Sequence, residues 1–245
     1  MSFWVRVKFR LARALDLDLT HAQRHYSVLL ERSLKAGDRW LDIGCGRQIV
    51  PNWAASEAEQ RGWVERSHRL VGIDVDSALH EHPFLHSRVI ALGDALPFAS
   101  ETFEFVTANV VVEHVEHPEQ VLTEIRRVLV PGGRFVFHTP NYKYYVIFLA
   151  SLVPDVIKGR LVRWIEKRNQ SDVFPTVYRL NTEKTIRRIA NKTGFRVENL
   201  DVVGSVGTFG MLGPLGVLEV PLLKVLSWPV MKQGNSSILA VLVRR

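Results

Sequence analysis

Small and acidic residues follow three short apolar segments in the first hundred residues of the chain. Gly44 and Gly46 follow the first segment, where glycine lets the backbone take positive φ and approach a ligand closely. Asp74 follows the apolar residues 70–73, and a carboxylate in that place can accept both hydroxyls of a ribose. Asp94 follows the third segment and can accept a hydrogen bond from an exocyclic amine such as that of adenine. The combination indicates a nucleoside-binding site.

These residues lie at predicted strand ends, because strands and helices alternate along the chain. The predicted strands are at residues 39–43, 70–73, 88–91, 103–108, 134–139, 195–203 and 237–243. The predicted helices are at residues 21–35, 52–61, 118–129, 158–167 and 182–193. Asn181 or Thr182 is expected to cap the last of these helices and Gly194 to end it. Short apolar strands separated by helices imply a parallel sheet covered on both faces, which binds ligands at the carboxyl ends of its strands.

Five motifs carry a resemblance to a known enzyme family. They read DIGCG, GIDVD, GDALPFASETFEFV, ANVVVEHVEHP and EIRRVLVPGGRFVFHTPN. In this order they resemble the class I S-adenosylmethionine-dependent methyltransferases, most closely the branch often labelled methyltransferase type 11, over residues 34–141. The resemblance implies an α/β, Rossmann-like sheet of seven strands, whose last strand is antiparallel and lies between the fifth and sixth. It also implies helices on both faces, a cap built from inserts, and methyl transfer from S-adenosylmethionine, which leaves S-adenosylhomocysteine as product.

The resemblance assigns the cofactor to residues at these strand ends. The cofactor-binding residues that it implies are Asp42, Gly44, Cys45, Gly46, Asp74, Val75, Asp94, Ala95, Asn109, Val110 and His114. Asp42 and the two glycines would border the methionine part of the cofactor, and Asn109 and Val110 would line the site beneath the sulfonium. Gln48 stands where the family loop usually has a third glycine, so we expect this loop to follow its own path. The same glutamine disfavours a nicotinamide site, whose fingerprint needs that glycine.

Two histidines near the predicted site are the candidate catalytic residues. The sulfonium is already an activated methyl donor, so a general base is needed only where the acceptor loses a proton. His138, at the end of the fifth strand, is the better candidate base, and a hydrogen-bonded structural histidine is the alternative. His114 is the second candidate, expected to contact the cofactor or to cap the following helix. In related quinone O-methyltransferases an E-x-x-E-H run holds a divalent metal, but Val110 replaces its first carboxylate here, so we expect no metal.

Two inserts, at residues 142–180 and 204–236, are expected to shape the acceptor side. They combine aromatic and apolar residues with arginines, which favours an acceptor with a hydrophobic part and an anionic part, such as a lipid-like molecule. The alternative is an ordinary cap core with solvated arginines. The candidate substrate-binding residues are Asn141, Tyr145, Tyr178 and Arg179. We expect Arg179 to pair with an anionic group because it lies between aromatic residues.

Residues 1–20 form a basic arm ahead of the methyltransferase domain, which we place at residues 21–245. As a helix, the arm has one apolar face and one arginine-bearing face, a pattern typical of a helix in a membrane interface. Packing of the arm on its own domain is the alternative, and alternation at residues 5–11 also permits a strand.

The net charge of +7 attracts nucleic acid, anionic lipid or an anionic substrate without choosing among them. RNA methylation and non-catalytic cofactor binding at a membrane are therefore the alternative functions. No appended RNA-binding module stands out, so nucleic acid is the less favoured partner.

A single cysteine, no recognisable secretory leader and no uncharged span of about 18 apolar residues favour a cytoplasmic location, peripheral at the membrane where the arm binds lipid. The sequence leaves open the acceptor, the methylated atom and the oligomeric state.

Overall fold

Seven strands form one sheet across residues 3–18, 20–145, 176–204, 214–228 and 231–245, which the computed structural model describes. The strands are β1 (Arg39–Ile43), β2 (Arg69–Asp74), β3 (Ser87–Ile90), β4 (Phe103–Asn109), β5 (Leu129–Pro140), β6 (Phe195–Val203) and β7 (Ser237–Arg244). Their order is β3-β2-β1-β4-β5-β7-β6. The first five pair in parallel, and β7 pairs antiparallel with both β5 and β6. The predicted fold, with an antiparallel last strand between the fifth and sixth, is confirmed.

Helices cover both faces of the sheet. They are α1 (Phe3–Ala14), α2 (Ala22–Ser33), α3 (Glu57–Arg66), α4 (Pro118–Val128), α5 (Glu183–Lys192) and α6 (Pro214–Leu226). One apolar core contains residues of α4 and α5 such as Leu122 and Ile186. The other contains residues of α2 and α3 such as Leu30 and Trp63. Because alternate residues of a strand point to opposite faces, neighbours such as Trp40 and Leu41 enter different cores.

The strand register brings the ends of the central strands to one edge. Ile43 of β1 pairs with Ile73 of β2 and with Ala108 of β4, and Asn109 of β4 pairs with His138 of β5. The strand order reverses between β1 and β4, which makes this edge the topological switch point where open α/β sheets bind ligands.

Two predicted elements differ from the structure near the start of the chain. The helix predicted at 52–61 was wrong at both ends, because α3 begins only at Glu57 and continues to Arg66. Ser56 caps α3 through a capping box: the backbone N–H of Glu59 donates to Ser56 Oγ, and that of Ser56 donates to Glu59 Oε2. The strand considered at 5–11 is also wrong, since these residues belong to α1.

The predictions after β5 are tested only in part. Thr182 caps α5, since its hydroxyl accepts a hydrogen bond from the N–H of Thr185, and Gly194 follows α5 with φ of 80°. The helix predicted at 158–167 lies outside the described residues, as does most of the first insert at 142–180. The second insert contains α6, a helix that was not predicted from the sequence. Among the described residues, no helix combines the length and hydropathy that crossing a bilayer requires.

Candidate functional site

The loop after β1 and the carboxylate after β2 form a cradle at the switch point. Gly44 and Gly46 have φ of 64° and 48°, which favour glycine. The N–H of Gly46 donates to Asp74 Oδ2 at 2.8 Å, so the carboxylate is held against the loop. A Cβ atom on Gly44 would lie 2.4 Å from Val111 Cγ2, whereas one on Gly46 would meet no atom within 4 Å. The loop therefore packs against Val111 at Gly44, whereas at Gly46 there is space for a ligand to approach the backbone.

A buried polar network lies beneath this loop. The Thr107 hydroxyl donates to Asp42 Oδ1 at 2.6 Å and accepts from the Trp40 indole N–H at 2.7 Å. Burial raises the pKa of the Asp42 carboxyl to about 7; the Thr107 hydrogen bond opposes this shift, and the charge of Asp74 adds to it. Asp42 therefore titrates near neutral pH, and a cation placed beside it would favour its charged form.

Exposed apolar side chains lie next to acidic residues after β2 and β3. Val75 is 45% exposed and Leu92 is 60% exposed, and Ala95 is also exposed. Asp94 is half-buried, and its carbonyl accepts a hydrogen bond from Gln120 of α4 at 3.4 Å. Apolar surface of this kind beside Asp74 and Asp94 fits a nucleoside, whose flat base and polar sugar need different neighbours.

Asn109 connects α2 to the ends of β4 and β5. Its side chain forms two hydrogen bonds with the Gln23 amide, of 3.1 and 2.9 Å, and its Nδ2 also donates to the carbonyl of Ile49. The bond to Ile49 identifies Nδ2 as the donor, so Asn109 Oδ1 faces His138 Nδ1 at 3.0 Å. The backbone continues into Val110, which has φ of 59° and donates its N–H to the His138 carbonyl.

His138 is neutral and has a fixed tautomer. An amide oxygen only accepts hydrogen bonds, so His138 Nδ1 carries the proton and Nε2 carries the lone pair. Burial lowers the pKa of His138 to about 3, and the charge of His21 adds to this effect. His138 Nε2 is buried without a hydrogen-bond partner among the described residues, and the imidazole packs against the Tyr26 ring at 5.8 Å. A buried acceptor atom is therefore available beside the cradle.

Glu113 and His114 occupy a short 3-10 turn after β4. The Glu113 carbonyl accepts the N–H groups of Val177 and Tyr178, which ties the end of the first insert to this turn. Burial raises the pKa of the Glu113 carboxyl, and His114 Nε2 lies 4.0 Å from Glu113 Oε1. The N-cap of α4 is His117 and not His114, so the capping role considered for His114 is wrong. Among the described residues, no group of three or more His, Cys, Asp or Glu could hold a metal ion.

Asn141 and Tyr145 make contacts that join β5 to the C-terminal part of the chain. Asn141 Nδ2 donates to the carbonyls of Gln233 and Asn235, both at 2.7 Å, so both amide hydrogens are used within the protein. The Tyr145 hydroxyl donates to Glu219 of α6. Both side chains therefore support the structure around the acceptor side, and their predicted contact with the acceptor stays a prediction.

Tyr178 and Arg179 lie near the end of the first insert. The Tyr178 ring lies 5.7 Å from that of Tyr142, and its backbone has φ of 52°. Arg179 Nη1 donates to the carbonyl of Glu116 at 2.9 Å in an exposed position. The guanidinium is thus fixed beside the turn after β4, and its predicted pairing with an anionic acceptor stays a prediction.

Cys45 is a packing residue of the loop after β1. Its thiol is buried, and burial raises its pKa. A Cβ atom on Gly72 of β2 would lie 2.7 Å from Cys45 Sγ, so the loop packs directly against β2 here. A thiol in this state is a poor nucleophile.

Sequence reasoning missed the contribution of α2 to the site. Gln23 and Tyr26 reach Asn109 and His138 from α2, although more than eighty residues separate them in the chain. Arg24 Nη1 holds α2 in place by donating to the Ala54 carbonyl at 2.7 Å. No local pattern signals such contacts, because they depend on how α2 packs on the sheet.

Comparisons with known proteins agree with this geometry. A family model described as a methyltransferase domain matches residues 18–200. The demethylmenaquinone methyltransferase of Symbiobacterium thermophilum is 29% identical over 122 residues, which are 46% of this chain and 46% of that protein. The ubiquinone biosynthesis O-methyltransferase of Pseudomonas entomophila is 32% identical over 145 residues, 54% of this chain and 57% of that protein. The chain therefore spans about half the length of these curated relatives.

A solved structure shares the fold. Geranyl diphosphate C-methyltransferase from Streptomyces coelicolor, in complex with Mg²⁺, geranyl diphosphate and S-adenosylhomocysteine, superimposes with a TM-score of 0.53 at 16% identity. The match covers 89% of this chain and 77% of that chain.

Proposed function

Since this chain belongs to the class I S-adenosylmethionine-dependent methyltransferases, we propose that it methylates a hydrophobic, quinone-like small molecule. The observation that carries the acceptor class is the buried, neutral imidazole of His138, which packs against the Tyr26 ring and has a free acceptor atom at Nε2 among the described residues. An apolar environment with one acceptor atom suits an uncharged ring that bears a hydroxyl group. Two relatives named for quinone biosynthesis support this choice.

The cradle residues would hold the cofactor, which when bound supplies an activated methyl group on its sulfonium. Asp74 would accept the ribose hydroxyls, and Val75 and Ala95 would border the adenine, with Asp94 accepting from its exocyclic amine. The backbone at Gly46, open to solvent and fixed to Asp74, would lie along the methionine part.

His138 would orient the acceptor through Nε2, which accepts a hydrogen bond from a ring hydroxyl. Its low pKa makes it a weak base, but an oxygen that gains a methyl group becomes far more acidic than an imidazolium. The proton can therefore pass to Nε2 as the new bond forms. Asn109 would keep Nδ1 protonated throughout and so hold the lone pair on the reactive side. Gln23 would hold Asn109 in turn.

Binding of S-adenosylhomocysteine, measured by calorimetry, tests the cofactor site. We expect Asp74→Asn to weaken binding roughly 10- to 100-fold, because hydrogen bonds to a charged group contribute about 1.5–3 kcal/mol. Asp201→Asn, which removes an equal charge on β6 at the far side of the sheet, should bind like the unaltered protein. Failure of the unaltered protein to bind would remove the enzyme proposal.

Transfer of a labelled methyl group to a panel of acceptors tests the acceptor class. We expect incorporation into a prenylated hydroquinone or naphthoquinol and none into transfer RNA. Labelling of RNA alone would replace this proposal by RNA methylation, the alternative that the net charge of +7 suggests. Cofactor binding without labelling of any acceptor would favour a non-catalytic cofactor-binding protein.

A further inference from the structure

Helices α1 and α6 pack together although about two hundred residues separate them in the chain. Lys8 Nζ lies 2.9 Å from Glu219 Oε2, and their side chains are 2% and 1% exposed. Lys224 Nζ donates to the carbonyl of Leu15 at 2.7 Å at the other end of the pair. A buried ion pair that loses one partner is strongly destabilised, so these contacts fix the two helices as one unit.

The outer side of this helix pair is apolar. The exposed apolar residues are Phe3, Trp4 and Leu11 of α1 and Leu218, Leu222 and Val225 of α6. Their spacing places the members of each helix on one face, since residues three, four, seven or eight apart lie on the same side of a helix. Phe3 is 62% exposed and Leu218 is 70% exposed, which is unusual for side chains of this size that belong to one patch.

The exposed charged side chains of α1 itself are all basic, and the exposed Asp16 comes only after the helix has ended. Arg6, Arg10 and Arg13 of α1 are exposed, and α1 contains no acidic residue. The one acidic residue of α6 is Glu219, which is buried against Lys8. Neither helix therefore exposes a carboxylate. The exposed charged residues of α1 are all arginines.

We propose that α1 and α6 together form a docking surface for an anionic phospholipid bilayer. The apolar side chains would enter the interface between headgroups and acyl chains, and the three arginines would contact lipid phosphates. A protein partner would need acidic groups matched to three separate arginines, whereas an anionic bilayer presents phosphates everywhere. Charge complementarity thus selects the bilayer among the surfaces that bury apolar residues.

The docking surface is directly connected to the acceptor side. Glu219, which pairs with Lys8, also accepts a hydrogen bond from Tyr145. Tyr145 follows the end of β5, the strand that carries His138. A bilayer bound at α1 and α6 would therefore lie near the segment that leads from the candidate base.

Sedimentation with vesicles tests this surface without any methyl-transfer assay. We expect binding to vesicles that are about one third phosphatidylglycerol in phosphatidylcholine, and weak binding to phosphatidylcholine alone. Salt at about 1 M should reduce the binding, because it screens exposed charges. Replacing Arg6, Arg10 and Arg13 with Gln should weaken binding to the anionic vesicles roughly 100-fold. The matched control is Arg32→Gln with Lys184→Gln and Arg188→Gln, which removes the same charge from exposed residues of α2 and α5 and should bind normally.

Apolar variants test the other half of the surface. Leu218→Ser with Leu222→Ser should weaken vesicle binding roughly tenfold. Ile90→Ser should not, since Ile90 is 55% exposed but lies on the edge strand β3, outside the two helices. Unchanged binding of S-adenosylhomocysteine would show that each variant folds. Insertion can also be measured without altering the apolar surface, through quenching of Trp4 fluorescence by brominated lipids. The quenching of Trp4 is the difference between the unaltered protein and Trp4→Phe.

Three outcomes would overturn the proposal. The first is that the protein does not bind anionic vesicles. The second is that the triple variant of α1 and the control triple variant weaken vesicle binding equally, because the binding would then depend on net charge and not on this surface. The third is a concentration-dependent dimer, seen by light scattering, that the Leu218 and Leu222 changes abolish and lipid does not. That result would mean that a second copy of the chain covers the patch.

Discussion

Asn109 determines the chemical state of His138, because an amide oxygen can accept a hydrogen bond but cannot donate one. The proton is therefore on Nδ1, and the lone pair on Nε2 is directed away from Asn109. Burial keeps this imidazole neutral throughout the physiological pH range. The residue can thus accept a proton during the reaction without first having to lose one.

Replacing His138 with Phe should separate binding from catalysis. We expect methyl transfer to fall roughly 100-fold, since a positioned base contributes about that much, while the dissociation constant of S-adenosylhomocysteine stays the same. Single-turnover kinetics and calorimetry would measure the two quantities, with the exposed His80→Asn as control. An equal loss of cofactor binding would assign His138 a structural role only.

Two buried histidines should make the protein sensitive to acid. Burial lowers the pKa of His82 to about 4 and that of His138 to about 3, below the value of about 6.5 expected in the unfolded chain. The unfolded chain therefore binds more protons below that pH, so the stabilisation is complete above about pH 6.5 and is lost as the pH falls.

The expected loss of unfolding free energy between about pH 6.5 and pH 5 is about 2 kcal/mol for each of the two histidines. Urea unfolding at both pH values would measure it. His82→Asn should remove about half of this dependence, because His138 remains. His80→Asn should leave the dependence unchanged, because His80 is exposed. A pH dependence that is the same in all three proteins would contradict this account.

The strand-end residues could be predicted because each one sits beside an apolar segment that marks its place. Gly44, Asp74 and Asp94 were found in this way, and the structure places them at one sheet edge. Gln23 and Tyr26 could not be found, since their contacts with β4 and β5 arise from packing between distant parts of the chain.

The buried ion pair between Lys8 and Glu219 should contribute strongly to the packing of α1 against α6. We expect Lys8→Met to lower the unfolding free energy by about 3–5 kcal/mol, because it leaves the Glu219 carboxylate buried without its cation. Thermal unfolding would measure the loss. The double variant Lys8→Met with Glu219→Leu should recover most of it, since no charge is then buried. A double variant as unstable as the single one would show that the packing of these helices depends on other contacts.

Helix ends were harder to predict than helix existence. The start of α3 was misplaced because residues 52–55 look helical in composition, but Ser56 and Glu59 form a capping box that starts the helix later. Helix α6 was missed because it contains Pro221 and lies in a Gly- and Pro-rich segment. Its packing against α1 stabilises a helix whose sequence gives a weak local signal.

Strand β7 occupies an interior position in the sheet, although it follows all the other strands in the chain. Strand β7 separates β5 from β6 and pairs with both. We expect a chain that stops after Ser236 to be insoluble, because β5 and β6 would each expose an unpaired edge. A chain lacking only Arg245 should fold normally, since β7 ends at Arg244. Soluble yield and circular dichroism would compare the two, and a folded shorter chain would contradict the expectation.

The excess positive charge was predictable in amount but not in arrangement. The sequence gives +7 and a cluster of arginines near its start. It does not reveal that α6 would lie beside α1 with its only carboxylate buried. The candidate docking surface thus arises from two segments that neither charge counting nor helical periodicity would place together.

The strand order also affects how the protein folds during its synthesis. Ribosomes release β5 and β6 well before β7, yet those two strands do not pair with each other and can be joined only through β7. Until residues 237–244 emerge, the edges of β5 and β6 that pair with β7 stay open in the nascent chain, while β1 and β2, which carry the cradle, have already been synthesised. Binding of S-adenosylmethionine to that cradle at this stage would stabilise the parallel strands β1 to β5 before β7 can pair with them.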